Sequence, residues 1–243
     1  VINIVYGLTS AKFPNAFRDN RNVDNIVAKR GALFMIDLKH AVQEKGFTVA
    51  HIKTDSIKIP EATPEIIDFV TEFGKKYGYD FEHEGTYDQF CLINDAVYIA
   101  RTGDKYTAVG AQFQHPFVYK ALFSHEDITF DDYCETKNVT QGVMYLDFGT
   151  EEKPELVHVG RTGSFVPVTK GGATLWRIKD DKKFAVTGTK GFKWIEREMA
   201  QGRKEPYEDY VDFSYFEALK EAAVNAIDVH GSFTNFVAPN VSD

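Results

Sequence analysis

The chain is short of cysteine, of long apolar runs and of paired metal-ligand spacings, and each shortage removes a class of explanation. Only Cys91 and Cys134 occur in 243 residues, far apart and outside any C-x-x-C pair. A disulfide scaffold is thereby excluded, and two structural thiols in a reducing compartment are expected. No apolar run approaches the length of a membrane helix. The first residues show no charged region leading into an apolar core, so no secretion signal is expected at this end. The seven histidines never fall at zinc-ligand spacing. There is no G-x-x-x-x-G-K-[ST] phosphate loop, no fixed-period repeat and no low-complexity tract.

What is present has the composition of an ordinary globular protein: 43% apolar and 26% charged residues. The net charge of −8 speaks at first against a polyanionic partner. Its distribution does not. Residues 1–60 balance at +4, residues 61–160 at −12 and residues 161–204 at +7. Two basic blocks therefore flank an acidic middle, and the local field governs what a surface attracts.

The opening "VINIVYG" reads as the interior of a structured element, which suggests a piece of a longer chain. After the turn-rich stretch "YGLTSAKFPNAFRDN", the spacing predicts a helix from Asp24, as N-cap, to a C′ glycine at Gly46. Its buried face would hold Ile26, Val27, Phe34, Met35, Leu38, Ala41 and Val42. Two strands, Phe47–Ile52 and Ile57–Ile59, should flank the turn Lys53–Ser56. A second helix starts at Thr63-Pro64-Glu65 and stops at Gly78, with Ile66, Ile67, Val70, Phe73 and Tyr77 as its stripe.

Short strands are then predicted at "YDFEHE", "FCLIN", "AVYIAR" and "KYTAVGA". The stretch "HPFVYKALFSHEDITFDDYCETKN" reads as helical. Further short strands should follow from "GVMYLDFG" to "GFKWIERE", and a helix ending at Gly231 should close the chain. The fold class is α+β: an antiparallel sheet packed by helices, then a mixed, strand-rich domain. The boundary is expected near residue 110, giving domains 1–110 and 111–243.

One stretch carries the chemistry. "HIKTDSIKI" sets a lone acid, Asp55, at a hairpin tip with Thr54 and Ser56 beside it. A carboxylate there is exposed, held by two strands and suited to a hard cation such as Mg²⁺. The hydroxyls of Thr54 and Ser56 are expected to orient it. By itself an Asp in a turn is commonplace. The order of motifs is more specific: Asn3, Tyr6 and Gly7 in "NIVYG", then a long helix, then Thr54-Asp55-Ser56, then Tyr98 and Gly110 in "NDAVYIAR…KYTAVGA".

This order resembles the family B DNA polymerases, most closely the small bacteriophage enzymes, over roughly residues 1–120. In that family K-x-x-x-N-x-x-Y-G on a fingers helix precedes D-T-D-S on a palm hairpin and a later K-K-x-Y segment. The resemblance implies that Asp55 ligates two Mg²⁺ ions in nucleotidyl transfer to a primer 3′-hydroxyl. It implies that Tyr6 and Gly7 pack under the nascent base pair and that Asn3 holds the fingers helix over the incoming dNTP. Tyr98 would lie near the primer strand, so residues 1–110 would be partial fingers and palm. Residues 111–243 would be a thumb-like, DNA-binding domain. The partners implied are primer–template DNA, dNTP and the N-terminal part of the same polymerase, in the cytoplasm of a bacterial host cell.

The chain departs from the pattern at three points. Lys53 replaces the first acid of D-T-D-S, and Asp95 stands where K-K-x-Y has a lysine. The lysine of the first motif and the second palm carboxylate, in a D-x-x-S-L-Y-P-like strand, would lie upstream of Val1. Two-metal catalysis needs carboxylates converging on both ions, so the chain alone is expected to be inactive in primer extension. In the second basic block, "GRTGS" and "GTKGFKW" are expected to form glycine turns in which Arg161, Lys190 and Lys193 contact phosphates. The alternative is a non-catalytic DNA-binding module derived from such a polymerase. A metal-dependent nuclease would need Glu61 and Asp37 gathered around Asp55.

Overall fold

The computed structural model describes residues 2–239, which form a mixed α+β protein whose sheets are all antiparallel. It divides into two compact units, Val1–Thr86 and Tyr87–Asp243. The division falls after Thr86 and not near residue 110. The reason is that the strands expected to end the first domain share a core with the residues that follow them.

The first unit opens with α1 (Ile2–Ser10), none of whose side chains is buried. The C-terminal end of α1 is tied to α2 (Asn20–Val23), because the Asn22 amide donates to Thr9 Oγ1 at 2.6 Å and Asp19 N–H to the Thr9 carbonyl at 3.0 Å. Asp19 caps α2 by accepting from Arg21 N–H. The next helix, α3, runs Ile26–Glu44. Asp24 does not cap it, as was expected; it closes α2, and Asn25 takes the N-cap place in the left-handed region at φ 60°. Asparagine tolerates that region better than most residues. The other end is as the sequence reads: Gly46, at φ 89°, closes a Schellman turn in which Phe47 N–H reaches the Val42 carbonyl and Gly46 N–H that of Gln43.

The hairpin β1 (His51–Lys53) and β2 (Ser56–Lys58) pairs Ile52 with Ile57. Its helical neighbour in sequence, α4 (Pro64–Lys76), begins with Thr63 accepting from Ile66 N–H and proline at its first position. Phe34, Met35, Leu38 and Val42 of α3 meet Ile66 and Val70 of α4, and Ile52, Ile57 and Ile59 pack against them. Ile26 and Val27, expected on this face, are exposed, because the first turn of α3 lies outside the contact. Tyr77, expected in the stripe of α4, is half exposed past the helix end. No strand forms at "YDFEHE". Tyr79 and Phe81 instead put their rings 4.5 and 5.9 Å from that of Phe34, so helix packing claims the aromatics that alternation had assigned to a sheet.

The second unit begins with the meander β3 (Gln89–Asn94), β4 (Val97–Thr102) and β5 (Lys105–Val109). Gly110 ends it at φ 94°; a Cβ there would lie 2.8 Å from the Ala96 carbonyl oxygen, so only glycine fits. Two one-turn helices follow, α5 (Ala111–Gln114) and α6 (Pro116–Tyr119), the second running into a π-turn at Lys120–Ser124. The long helix expected here ends at His125, in the left-handed region at φ 54°. A 3₁₀ turn, Phe130–Tyr133, is closed by Thr129 and Asp132 capping each other, and the last residues of the stretch join a sheet as β6 (Glu135–Asn138).

β7 (Val143–Asp147), β8 (Leu156–Gly160), β9 (Thr162–Val168), β10 (Thr174–Lys179), β11 (Lys182–Ala185) and β12 (Lys193–Glu196) make two sheets, ordered β11-β10-β7-β8 and β12-β9-β6. Pro167 is tolerated inside β9 because β6 pairs only as far as Phe165, leaving no ladder bond for the missing N–H. Then come α7 (Arg197–Gln201), α8 (Phe213–Asp228) and α9 (Phe233–Val237). The helix expected to close the chain is α8, but α9 follows it. Arg101, only 2% exposed, donates from Nη1 to the carbonyls of Phe236 and Ala238 and so fixes the end of α9 to β4. One core joins Met144, Leu146, Phe165, Trp194 and Ile195 to Phe216 and Ile227 of α8. Among the described residues no helix is long and apolar enough to cross a membrane.

Candidate functional site

The tip of the first hairpin is two residues, Thr54 and Asp55. Thr54 lies at φ 51°, and Asp55 N–H donates back to the Lys53 carbonyl at 2.6 Å. That strained turn holds the backbone of Asp55, while Lys53, Thr54 and Asp55 are all exposed. The Asp55 carboxylate accepts no hydrogen bond among the described residues. The expectation that Ser56 steadies it fails: Ser56 Oγ donates to the Lys53 carbonyl at 3.3 Å, so the hydroxyl tightens the turn and does not touch the acid. Ile52 and Ile57, packed on the small core, anchor the base of the hairpin. The acid is thus presented to solvent from a fixed stem.

Among the described residues no group of three His, Cys, Asp or Glu side chains is gathered to hold a metal ion. Asp37 and Glu61 do not converge on Asp55 in such a group. One carboxylate can serve as one ligand of Mg²⁺, but it does not make a two-ion site.

Asn3, Tyr6 and Gly7 sit at i, i+3 and i+4 of α1, so they share one exposed helical face, as a contact surface requires. Gly7 has open space around it. Tyr98 is different. It is buried in β4 with its ring 5.0 Å from that of Phe90, so it works as sheet core and offers little surface to a primer strand.

The three basic candidates do not form one patch. Arg161 precedes β9, whereas Lys193 pairs with Val168 at its other end, about 20 Å away at the rise of an extended strand. "GRTGS" is only partly a turn: Gly160 ends β8 at φ 113°, Arg161 is exposed at the bend, and Gly163 and Ser164 already belong to β9. "GTKGFKW" is the glycine turn expected, with Gly188 at φ 77° and Gly191 at φ 90°. Buried Thr189 holds it, accepting from the Trp194 indole N–H at 3.0 Å and donating to the Val186 carbonyl at 2.7 Å. Lys190 is exposed at its tip.

A polar cluster that sequence reasoning missed lies in the second unit. Glu135 accepts from His115 Nε2 at 2.8 Å and from Lys137 Nζ at 2.6 Å, and the Tyr215 hydroxyl also acts on it. Burial alone would raise the carboxyl, but these donors outweigh it and hold it down to about 2. Burial and the same carboxylate push the Tyr215 phenol up. Glu135 and Lys137, two apart on one strand, were legible as neighbours; His115, twenty residues earlier, carried no signal. Both cysteines are free, and burial raises the Cys134 thiol to about 11, in keeping with an inert structural role.

No family model matches this chain, and no curated protein matches it.

Proposed function

We propose that this chain is the palm and thumb portion of a family B-like DNA polymerase. The observation that carries the reading is the hairpin tip: an exposed Asp55, unpartnered among the described residues, between Thr54 and Ser56 on a stem fixed to two helices. The motif order supports it. Asn3, Tyr6 and Gly7 fall together on a helix before that hairpin, and an antiparallel meander with Gly110 at its end follows. In the complete enzyme Asp55 would be one oxygen ligand of the Mg²⁺ ions, which lower the pKa of the primer hydroxyl and neutralise the leaving pyrophosphate. Asn3, Tyr6 and Gly7 would meet the nascent base pair, and Arg161, Lys190 and Lys193 the DNA backbone.

The solitary state of Asp55 favours the second reading, a non-catalytic DNA-binding module of the same origin. Primer extension in Mg²⁺ separates the two. We expect the protein made with its upstream coding sequence to extend a primer, Asp55→Asn to abolish extension, and residues 1–243 alone to be inactive. Extension that survives Asp55→Asn would remove the polymerase reading. An upstream sequence with no lysine four residues before Asn3 and no second palm carboxylate would leave the binding module.

A further inference from the structure

Strands at the edges of the sheets mostly carry charges that keep other chains away: Lys105 on β5, Lys137 on β6, Lys182 and Lys183 on β11 and Lys193 on β12. Among the described residues only β3 and β8 are edge strands with no Lys, Arg, Asp or Glu. β3 is buried or half-buried as far as Asn94. β8 is not: Leu156, Val157 and His158 are exposed, the first two at 41% each. On its inner side β8 pairs with β7, and the Glu155 carbonyl accepts from Phe148 N–H at 2.9 Å. Alternation along the ladder then turns the backbone groups of Val157 towards β7 and those of Leu156 and His158 towards the open edge. Neither Leu156 nor His158 makes a backbone hydrogen bond outside that ladder among the described residues.

The two ends of this edge differ in charge. The loop entering β8 holds three acids, Glu151, Glu152 and Glu155, against one base, Lys153, and all four are exposed. Where β8 ends, Arg161 is exposed at the bend. Neither its guanidinium nor the Glu155 carboxylate has a partner among the described residues. An antiparallel copy of the same strand reverses the order, and so sets each acidic loop beside the other copy's Arg161. With Val157 opposite Val157 of the second copy, Leu156 faces the second copy's His158. Each such pair can exchange both N–H···O bonds, because its groups already point outward. The two exposed valines then cover each other, and Glu155 falls diagonally across from Arg161, within reach of long side chains.

We propose that β8 is a self-association edge: two copies of this chain pair β8 antiparallel about a two-fold axis at Val157, joining their sheets into one. The contact is isologous, so the same residues serve both sides. A short edge buries less than a permanent interface does, and the dimer is accordingly a weak one, with a Kd on the order of 100 µM. The proposal does not depend on the polymerase reading. It engages Arg161, so self-association and contact of that residue with a DNA backbone exclude each other.

Sedimentation of the chain from about 5 to about 500 µM tests this, with a monomer expected at the low end and mostly dimer at the high end. Val157→Lys places two ammonium groups at the centre of the pairing and should weaken association about tenfold or more. Unchanged emission of the buried Trp194 shows that each variant is folded. Glu155→Arg should weaken association about threefold, and adding Arg161→Glu should restore it, because the reversed charges again oppose each other. Crosslinking reads the register. Val157→Cys should give a disulfide-linked dimer on mild oxidation, since residues facing each other in a non-hydrogen-bonded pair stand at a distance a disulfide can bridge. Leu156→Cys, which would face His158, should not, and neither should the parent with Cys91 and Cys134. A monomer over the whole range, parent-like association of Val157→Lys, failure of the double charge reversal to restore it, or equal crosslinking of Leu156→Cys and Val157→Cys would overturn the proposal.

Discussion

The two units solve the problem of burial to very different degrees. Among the described residues the first gathers six buried apolar side chains in its core, the second twenty-six. Of the seventeen large hydrophobic residues left exposed among the described residues, twelve lie in the first unit, from Ile2, Ile4 and Val5 of α1 to Phe13, Phe17 and Leu33. Stability scales with the apolar area removed from water, so the first unit should be the weaker by a wide margin. The difference also separates two roles. The large core of the second unit can carry a buried ionic cluster and a rigid sheet edge, whereas the first holds little beyond the anchor of one hairpin.

The comparison breaks most sharply at Leu38, which is fully buried in the smaller core. Leu38→Ala should cost about 3 kcal/mol through lost burial and the cavity left behind. Both tryptophans belong to the second unit, so their emission reports that unit alone. Helix loss by far-UV circular dichroism should shift to lower denaturant in this variant while the tryptophan transition stays in place. Movement of both transitions together would show one cooperative unit and end the contrast.

Acid sharpens it from the other side. Glu135 is held below its ordinary value of 4.5, at about 2. A carboxyl depressed by folding stabilises fully above its unfolded value, and that contribution disappears as pH falls through the folded one. The second unit should therefore lose about 3 kcal/mol of stability between pH 5 and pH 2, measured by denaturation followed through tryptophan emission. Lys137 and His115 would then face a neutral acid. A flat profile over that range would mean that the donors around Glu135 do not hold its charge.

The smallest effect is expected at Asp55. Its carboxylate is exposed and has no partner among the described residues, so Asp55→Asn should change the stability of the first unit by less than about 0.5 kcal/mol. A larger loss in the same helix-monitored transition would show that the acid supports the turn. Any activity it governed would then be hard to separate from folding.

Local chemistry fixed much of this protein. Thr63-Pro64, Gly46, Gly78 and the alternation in "AVYIAR" placed helix ends and strands from their own residues, because caps, left-handed glycines and period-two patterns are settled within a few positions. The exposed tip at Asp55 was legible for the same reason. What depended on partners far along the chain was not. "YDFEHE" alternates like a strand but found the ring of Phe34 before any strand edge. "HPFVYKALFSHEDITFDDYCETKN" has helical spacing, yet its last residues pair with β9. Tyr98 is core because Phe90 lies beside it, and the boundary moved from residue 110 to Thr86 because the meander shares the larger core. The sequence by itself determined where elements start, stop and turn. Tertiary structure decided which of them share a core, which buried acid meets His115 and which sheet edge stays open, because burial is a property of what lands alongside and not of the residues in order.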